Sequence, residues 1–199
     1  LDALQSYMNT YPESKMYKKT LAVFNELQYN QSTSDGLMDS YISFIEMAPN
    51  NPFKGQAEDH LYALLTQNNM IKELDDFVHK YPENRNYLQA WKRLYQLFMK
   101  DYSSMRLEQF RAEYSDYPFL KQLQDDIALF NENLYPFKEK DLYGFINNKG
   151  EVIIPASYSE VSDFSEGLAV VSDGLKMGLI DKKNSIIIPF VYDEISNFL

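Results

Sequence analysis

The sequence predicts an α+β protein with its two structural classes in separate domains: an α-solenoid of helix-turn-helix repeats over residues 1–132, then an antiparallel β-meander of repeats over residues 133–199. Three observations carry this expectation. Apolar residues recur at three- and four-residue spacing up to residue 131, as in Leu88, Trp91, Leu94, Tyr95 and Phe98. Beyond residue 133 the pattern changes to short β-branched runs separated by Asn, Asp, Gly and Lys turns. Each half also repeats against itself. The polar seam Asn131-Glu132-Asn133 marks the change of period and hence the expected domain boundary.

In the first half Phe44, Phe77 and Phe110 recur at a period of 33, each near the end of an expected helix. Pro49 and Pro82 follow the first two at one shared offset, and the third copy has Tyr114-Ser115 there, with its proline displaced to Pro118. Proline bars the residue before it from continuing a helix, so each Tyr-Pro or Ala-Pro step ends one. An earlier copy fits through Tyr7, Tyr11 and Pro12 at an offset of 37, with its four extra residues assigned to the loop of residues 30–35. Second helices align as well: Leu61, Leu94 and Ile127 match, as do Leu64, Leu97 and Phe130. Asn51-Pro52 reads as a helix N-cap with proline at the first helical position. Ala57 and Ala90 share one position, where a small side chain lets two helices approach.

A helix pair of this length, with a Tyr-Pro break and a small residue in its second helix, resembles the tetratricopeptide repeat, in the divergent variety of bacterial envelope proteins. The Trp-Leu-Gly-Tyr signature of that family is absent here.

The second half repeats with a period of 34. Tyr143-Gly-Phe-Ile-Asn-Asn-Lys-Gly-Glu-Val-Ile-Ile-Pro aligns with Met177-Gly-Leu-Ile-Asp-Lys-Lys-Asn-Ser-Ile-Ile-Ile-Pro, and 10 of 21 positions are identical between 144–164 and 178–198 without a gap. Tyr158, Glu160, Ser162 and Phe164 align with Tyr192, Glu194, Ser196 and Phe198. In each unit a glycine (Gly144, Gly178) opens a strand where close backbone approach or a bulge is needed. A turn at Asn148-Lys149-Gly150 or Lys182-Lys183-Asn184 reverses the chain through a residue that tolerates positive φ. The returning strand is expected to stop at Pro155 or Pro189. Ser165-Glu166-Gly167 then turns into Leu168 to Ser172, and Ser172-Asp173-Gly174 leads into the next unit.

This pattern resembles the bacterial WG repeat over about residues 134–199. Its namesake tryptophan is Tyr143 in one copy and Met177 in the other, both expected to fill a buried slot. Leu199 falls inside a repeat and Leu1 is not a methionine, so the chain reads as a piece of a longer protein, with an exposed edge or frayed end expected near residue 195. The resemblance implies a cell-envelope or secreted (periplasmic or extracellular) setting.

Composition narrows the function. The chain has 199 residues, 45% of them hydrophobic, with 16 Tyr, 13 Phe and one Trp, enough for packed cores. Nineteen basic against 29 acidic side chains leave a charge of −10, which argues against nucleic acid and anionic lipid as partners. There is no cysteine, and no apolar run approaches the ~20 residues of a membrane span. His60 and His79 fall on polar helical faces, and no metal-ligand spacing accompanies them. No nucleophile elbow, phosphate loop or dinucleotide motif is present. The carboxylate pairs Asp75-Asp76 and Asp125-Asp126 diverge on their helices and read as solvated faces. Asp163 and Glu166 lie near a turn.

The expectation is therefore a non-catalytic interaction or scaffold protein without cofactor or metal, binding another protein or a peptide segment. A glycan-binding or accessory part of an envelope glycan-processing enzyme is the alternative, and a structural spacer a third. Tyr11, Tyr81 and Tyr114 recur at one position, as do Tyr158 and Tyr192, which is expected of structural plugs; a row of tyrosines gripping a peptide or glycan by stacking is the alternative. Tyr17, Tyr87 and Tyr95 do not recur and are the expected binding-surface candidates.

Overall fold

A computed structural model describes residues 1–100 and 103–196; Phe198 and Leu199, on which the expected break inside a repeat rests, lie outside them. Eight helices precede seven strands among the described residues. The helices are α1 (Asp2–Thr10), α2 (Tyr17–Ser32), α3 (Met38–Met47), α4 (Lys54–Leu65), α5 (Ile71–Lys80), α6 (Tyr87–Phe98), α7 (Ser104–Glu113) and α8 (Leu120–Asn131). The strands are β1 (Leu134–Glu139), β2 (Leu142–Asn147), β3 (Val152–Tyr158), β4 (Glu160–Val161), β5 (Leu168–Ser172), β6 (Met177–Asp181) and β7 (Ile186–Tyr192). The fold class is the α+β arrangement expected. The chain divides into two compact units, Leu1–Leu97 and Phe98–Leu199, so the change from helix to strand falls inside the second.

Every odd-numbered helix ends in the same way. Tyr11, Ala48, Tyr81 and Tyr114 have φ from −130° to −116° and ψ from 55° to 66°, and each amide donates to the carbonyl four residues back. Those acceptors are Tyr7, Phe44, Phe77 and Phe110, the aromatic positions of the helical repeat. The next turn is shared too: the amides of Ser14, Asn51, Asn84 and Tyr117 donate to the carbonyls of those four capping residues. Tyr114 adopts the geometry although Ser115 follows it, so proline favours this exit without being required for it.

Two local expectations change. The four extra residues of the first copy do not form a loop; α2 has 16 residues where α4, α6 and α8 have 12. The added turn is held because Tyr29 is buried and stacks on Phe53 at 5.3 Å, while the Thr33 hydroxyl donates to the Tyr29 carbonyl at 2.8 Å. Asn51-Pro52 is not an N-cap either, since α4 begins at Lys54. The Asn51 carboxamide instead accepts from the Phe53 amide at 2.9 Å and donates back to α2, to the Asn25 carbonyl at 3.1 Å and Gln28 at 3.0 Å. Asn84 repeats this at the α5–α6 turn, accepting from the Asn86 amide at 2.8 Å and donating back to the Glu58 carbonyl of α4 at 3.5 Å.

In the first unit the core gathers Tyr29, Tyr41, Phe44, Ala48, Ala57 and Leu61. Ala57 is fully enclosed, as its small size foretold, and so is Ala90. The α5–α6 turn is tied back to α4: Asn86 donates to Asp59 at 2.9 Å, Arg85 pairs with Asp59 at 3.6 Å, and the Arg85 guanidinium covers Gly55, where a β-carbon would strike it.

The second unit holds two antiparallel sheets, ordered β1-β2-β3 and β4-β5-β6-β7. They repeat one another. Phe137 pairs with Gly144 as Val171 pairs with Gly178, and Leu134 pairs with Asn147 as Leu168 pairs with Asp181, in both cases at the period of the β repeat. Strand β1 is therefore the counterpart of β5, a relation its sequence (Leu-Tyr-Pro-Phe-Lys-Glu) does not display. Both prolines lie inside strands instead of ending them. Pro155 and Pro189 sit at bulges, where the register shifts opposite Gly144 and Gly178. A β-carbon at Gly144 would lie 2.7 Å from the Ala156 nitrogen, and one at Gly178 2.6 Å from the Ile188 carbonyl oxygen. Glycine there admits the bulge, and the bulge accommodates a proline that cannot donate to the ladder.

Helix α8 is built into this unit. Lys182, in the turn after β6, donates to the carbonyls of Phe130 and Glu132, and Lys183 pairs with Asp126. Asp126 is buried, so the expected solvated pair Asp125-Asp126 is split: the first is exposed and the second is paired inside. Glu166 and Gly167, both at positive φ, form a two-residue hairpin turn closed by mutual Ser165–Leu168 hydrogen bonds of 2.8 and 2.9 Å. The Phe130 ring occupies the space a side chain at Gly167 would need.

Candidate interaction surface

Three recesses in the first unit occupy one repeat position. Tyr7, Thr10 and Tyr11 line a recess of about 520 Å³ at the end of α1. Phe44, Met47 and Ala48 line one of about 340 Å³ at the end of α3. Phe77, Lys80 and Tyr81 line one of about 800 Å³ at the end of α5. The triples follow one another at the offsets of the repeat itself, first 37 and then 33. The wall from the preceding helix recurs too, with Gln28 of α2 in the second recess and Leu65 of α4 in the third. The Phe44 and Phe77 rings belong to the core, whereas Met47 and Lys80, one helical turn later, are exposed. The 3.6-residue period thus sets an exposed rim residue one turn after the anchor in all three, the anchor being buried at Phe44 and Phe77 and half-buried at Tyr7.

The recurring tyrosines grade from surface to core. Tyr11 is 56% exposed, Tyr81 is half-buried and Tyr114 is 3% exposed. Tyr7 and Tyr11 lie 5.4 Å apart and tilted, and the Tyr7 hydroxyl shares a 2.8 Å hydrogen bond with Ser14. The Tyr81 hydroxyl is buried without a hydrogen-bond partner among the described residues.

The tyrosines expected at a binding surface do not come together as one. Tyr17 and Tyr87 are half-buried at the starts of α2 and α6, and Tyr87 meets Trp91 edge-on at 6.3 Å. Tyr95 is only 6% exposed. It lies four residues after Trp91 and one after Leu94, on the buried stripe of α6, so it is a core residue and not a surface one. Both histidines are exposed. His60 stacks on Tyr41 at 5.2 Å, and His79 Nδ1 lies 3.1 Å from the Asp75 carboxylate. Among the described residues no group of three or more His, Asp and Glu side chains is placed to hold a metal ion.

In the second unit Asn147 and Asp181 do equivalent work. The Asn147 side-chain oxygen accepts from the amides of Lys149 and Glu151, both at 3.0 Å, and Asp181 accepts from Lys183 at 2.9 Å and Ser185 at 2.7 Å. Gly150 and Asn184 then turn at positive φ. The Tyr158 hydroxyl of the first copy donates to Asn184 of the second at 2.5 Å and its ring stacks on Phe190; burial pushes its pKa up, partly offset by that hydrogen bond. Residues 143–174 and 177–198 match the WG containing repeat. No curated protein and no solved structure matches the chain. In the WG repeats the two namesake positions are half-buried rather than buried: Tyr143 lies under the Lys138 ammonium at 5.1 Å, and Met177 pairs with Ser172. Tyr158 is 8% exposed while its counterpart Tyr192, on the edge strand β7, is 50% exposed. No helix among the described residues is long and apolar enough to cross a membrane.

Sequence reasoning gave Asn51 a capping role it does not have and passed over Asn84, although the recurrence of the two at the period of the helical repeat was a usable signal. Lys182, Lys183 and Asp126 carried none, because each finds its partner in an element far along the chain.

Proposed function

We propose that this chain is a non-catalytic binding module of the bacterial cell envelope or secreted space. Its helix hairpins, of tetratricopeptide type, hold an extended protein segment, and its WG repeats prolong the scaffold. The observation that carries this is the recurrence of one recess at three equivalent positions. A structural plug needs to recur, but an open recess with an exposed rim contributes nothing to stability. A ligand that extends across successive repeats uses such a series.

The test places a photo-crosslinking phenylalanine analogue at Thr10, at Met47, at Lys80 and, as a control, at Leu175 in the β part. Adducts to one protein from envelope extracts at the first three positions, and none at Leu175, support the reading. Adducts at Leu175 alone overturn it, and retention of glycan without any protein adduct favours the glycan-binding alternative.

A further inference from the structure

We infer that the first recess takes an aromatic side chain, a phenylalanine or its like, from the protein segment the helical repeats hold, seated against the rings of Tyr7 and Tyr11. This rests on the binding reading above and gives its ligand one anchoring residue.

One ring pair recurs along the helical repeat. Tyr7 and Tyr11 lie 5.4 Å apart at 47°, Phe77 and Tyr81 5.5 Å apart at 40°, and Phe110 and Tyr114 4.7 Å apart at 39°. The members of each pair are four residues apart, so they are neighbours on one helical face. What covers the pair differs from copy to copy. In the fourth copy the Phe98 ring packs edge-on to Phe110 at 5.2 Å and to Tyr114 at 5.9 Å, and all three rings are buried. Leu65 stands at the place of Phe98 in the third copy, and there Tyr81 is half-buried. The first recess is lined, among the described residues, by α1 and the turn after it, and Tyr11 is 56% exposed. The fourth copy therefore displays the side chain that closes such a seat: a phenylalanine.

The open pair is already ordered. The Tyr7 hydroxyl shares a 2.8 Å hydrogen bond with that of Ser14, which also accepts from the Met16 amide at 3.1 Å. The Ser14 amide in turn donates to the Tyr11 carbonyl at 3.1 Å. The polar tip of Tyr7 is satisfied inside the turn, so its ring receives a partner without first being ordered. Two rings tilted at 47° form a cleft and not a flat platform. An aromatic edge enters such a cleft and meets both rings favourably, whereas a sugar ring finds no flat platform to stack on.

The chain has no cysteine, so an introduced thiol reports on one place alone. Glu13→Cys at the rim of the first recess, and Leu175→Cys in the β part as a control, are equilibrated with the symmetric disulfides of phenethyl thiol, isoamyl thiol and mercaptoethanol. Mass spectrometry reads the captured fractions, and circular dichroism checks the folding of each variant. Glu13→Cys is expected to retain the phenethyl group about threefold more than the isoamyl group. Leu175→Cys is expected to show no such preference, and Tyr11→Ala added to Glu13→Cys to remove it. Equal capture of the two groups, a preference for isoamyl, the same aromatic preference at Leu175→Cys, or one untouched by Tyr11→Ala overturns the inference. A Thr10 crosslink joining two copies of this chain overturns it as well. Adducts to a partner protein at Met47 and Lys80 would leave the binding reading standing in each of those cases; their absence removes both.

Discussion

The Lys182 ammonium lies 2.6 Å from the Glu132 carbonyl oxygen and also donates to the Phe130 carbonyl, so a side chain from the β part caps the end of α8. The ammonium faces the Phe130 ring at 5.3 Å and the Phe164 ring at 6.0 Å. Burial lowers its pKa, and the nearby Glu132 carboxylate opposes that shift. Helix ends leave carbonyls unsatisfied, and a cation placed there satisfies them while opposing the negative end of the helix dipole.

Lys182→Met keeps the stem and removes the cap. It is expected to lower the unfolding free energy by about 1–3 kcal/mol, with the desolvation of the lysine offsetting part of the lost bonds. Urea denaturation followed by circular dichroism measures it. Unchanged stability would show that the two hydrogen bonds only balance the burial of the charge.

Gly144→Ala and Gly178→Ala drive a methyl group into the backbone of the returning strand. Each is expected to cost roughly 2–4 kcal/mol, because backbone at a bulge yields less than a side chain does. Gly174→Ala is the comparison: its φ is 97°, but a β-carbon there would meet only Ser159 at an ordinary contact distance of 3.8 Å, so a loss of only about 1 kcal/mol is expected. Of the three only Gly174 has a positive φ, so equal losses at all three sites would mean that the close approach at Gly144 and Gly178 is relieved by a backbone shift.

Tyr117 is buried, and its pKa is pushed up to about 12, first by burial and then by the Asp126 carboxylate. An unfolded tyrosine ionises near pH 10, so above that pH the unfolded chain binds fewer protons than the folded one. The stability held by neutral Tyr117 is complete below pH 10 and is lost as the pH climbs to about 12. Tyr117→Phe should flatten the fall in stability across that window by about 2 kcal/mol. Parallel pH profiles for the two proteins would refute the assignment.

Tyr95→Ala should cost about 3 kcal/mol as a core truncation, whereas Tyr17→Ala should cost about 1 kcal/mol or less, its ring being half out of the core. Thermal unfolding of the two variants distinguishes them, and similar values would contradict the burial described for α6.

Much of the fold was legible in the sequence. The repeat period of each half, the helix ends at Tyr11, Ala48, Tyr81 and Tyr114, and the turns at Gly150 and Asn184 all follow from residue types acting on the backbone close to them. Local chemistry was misjudged where the element outlasted its breaker: Pro155 and Pro189 were absorbed by bulges, and α2 gained a turn because Tyr29 found a core to enter. The recess triples were half visible, through Phe44 and Phe77, but not the exposed rim beside them.

The sequence by itself determined the order of helices and strands and the repeat in each half. A proline, a glycine or an Asx turn acts on the backbone next to it, whatever packs against it later. Only the tertiary structure decided that Tyr95 is core, that Asp126 is paired inside, and that α8 is capped from the β part. Burial depends on which faces meet across long stretches of chain, as Asn84 meets Glu58, Tyr158 meets Asn184 and Lys183 meets Asp126. Side-chain spacing within one element does not specify its partner.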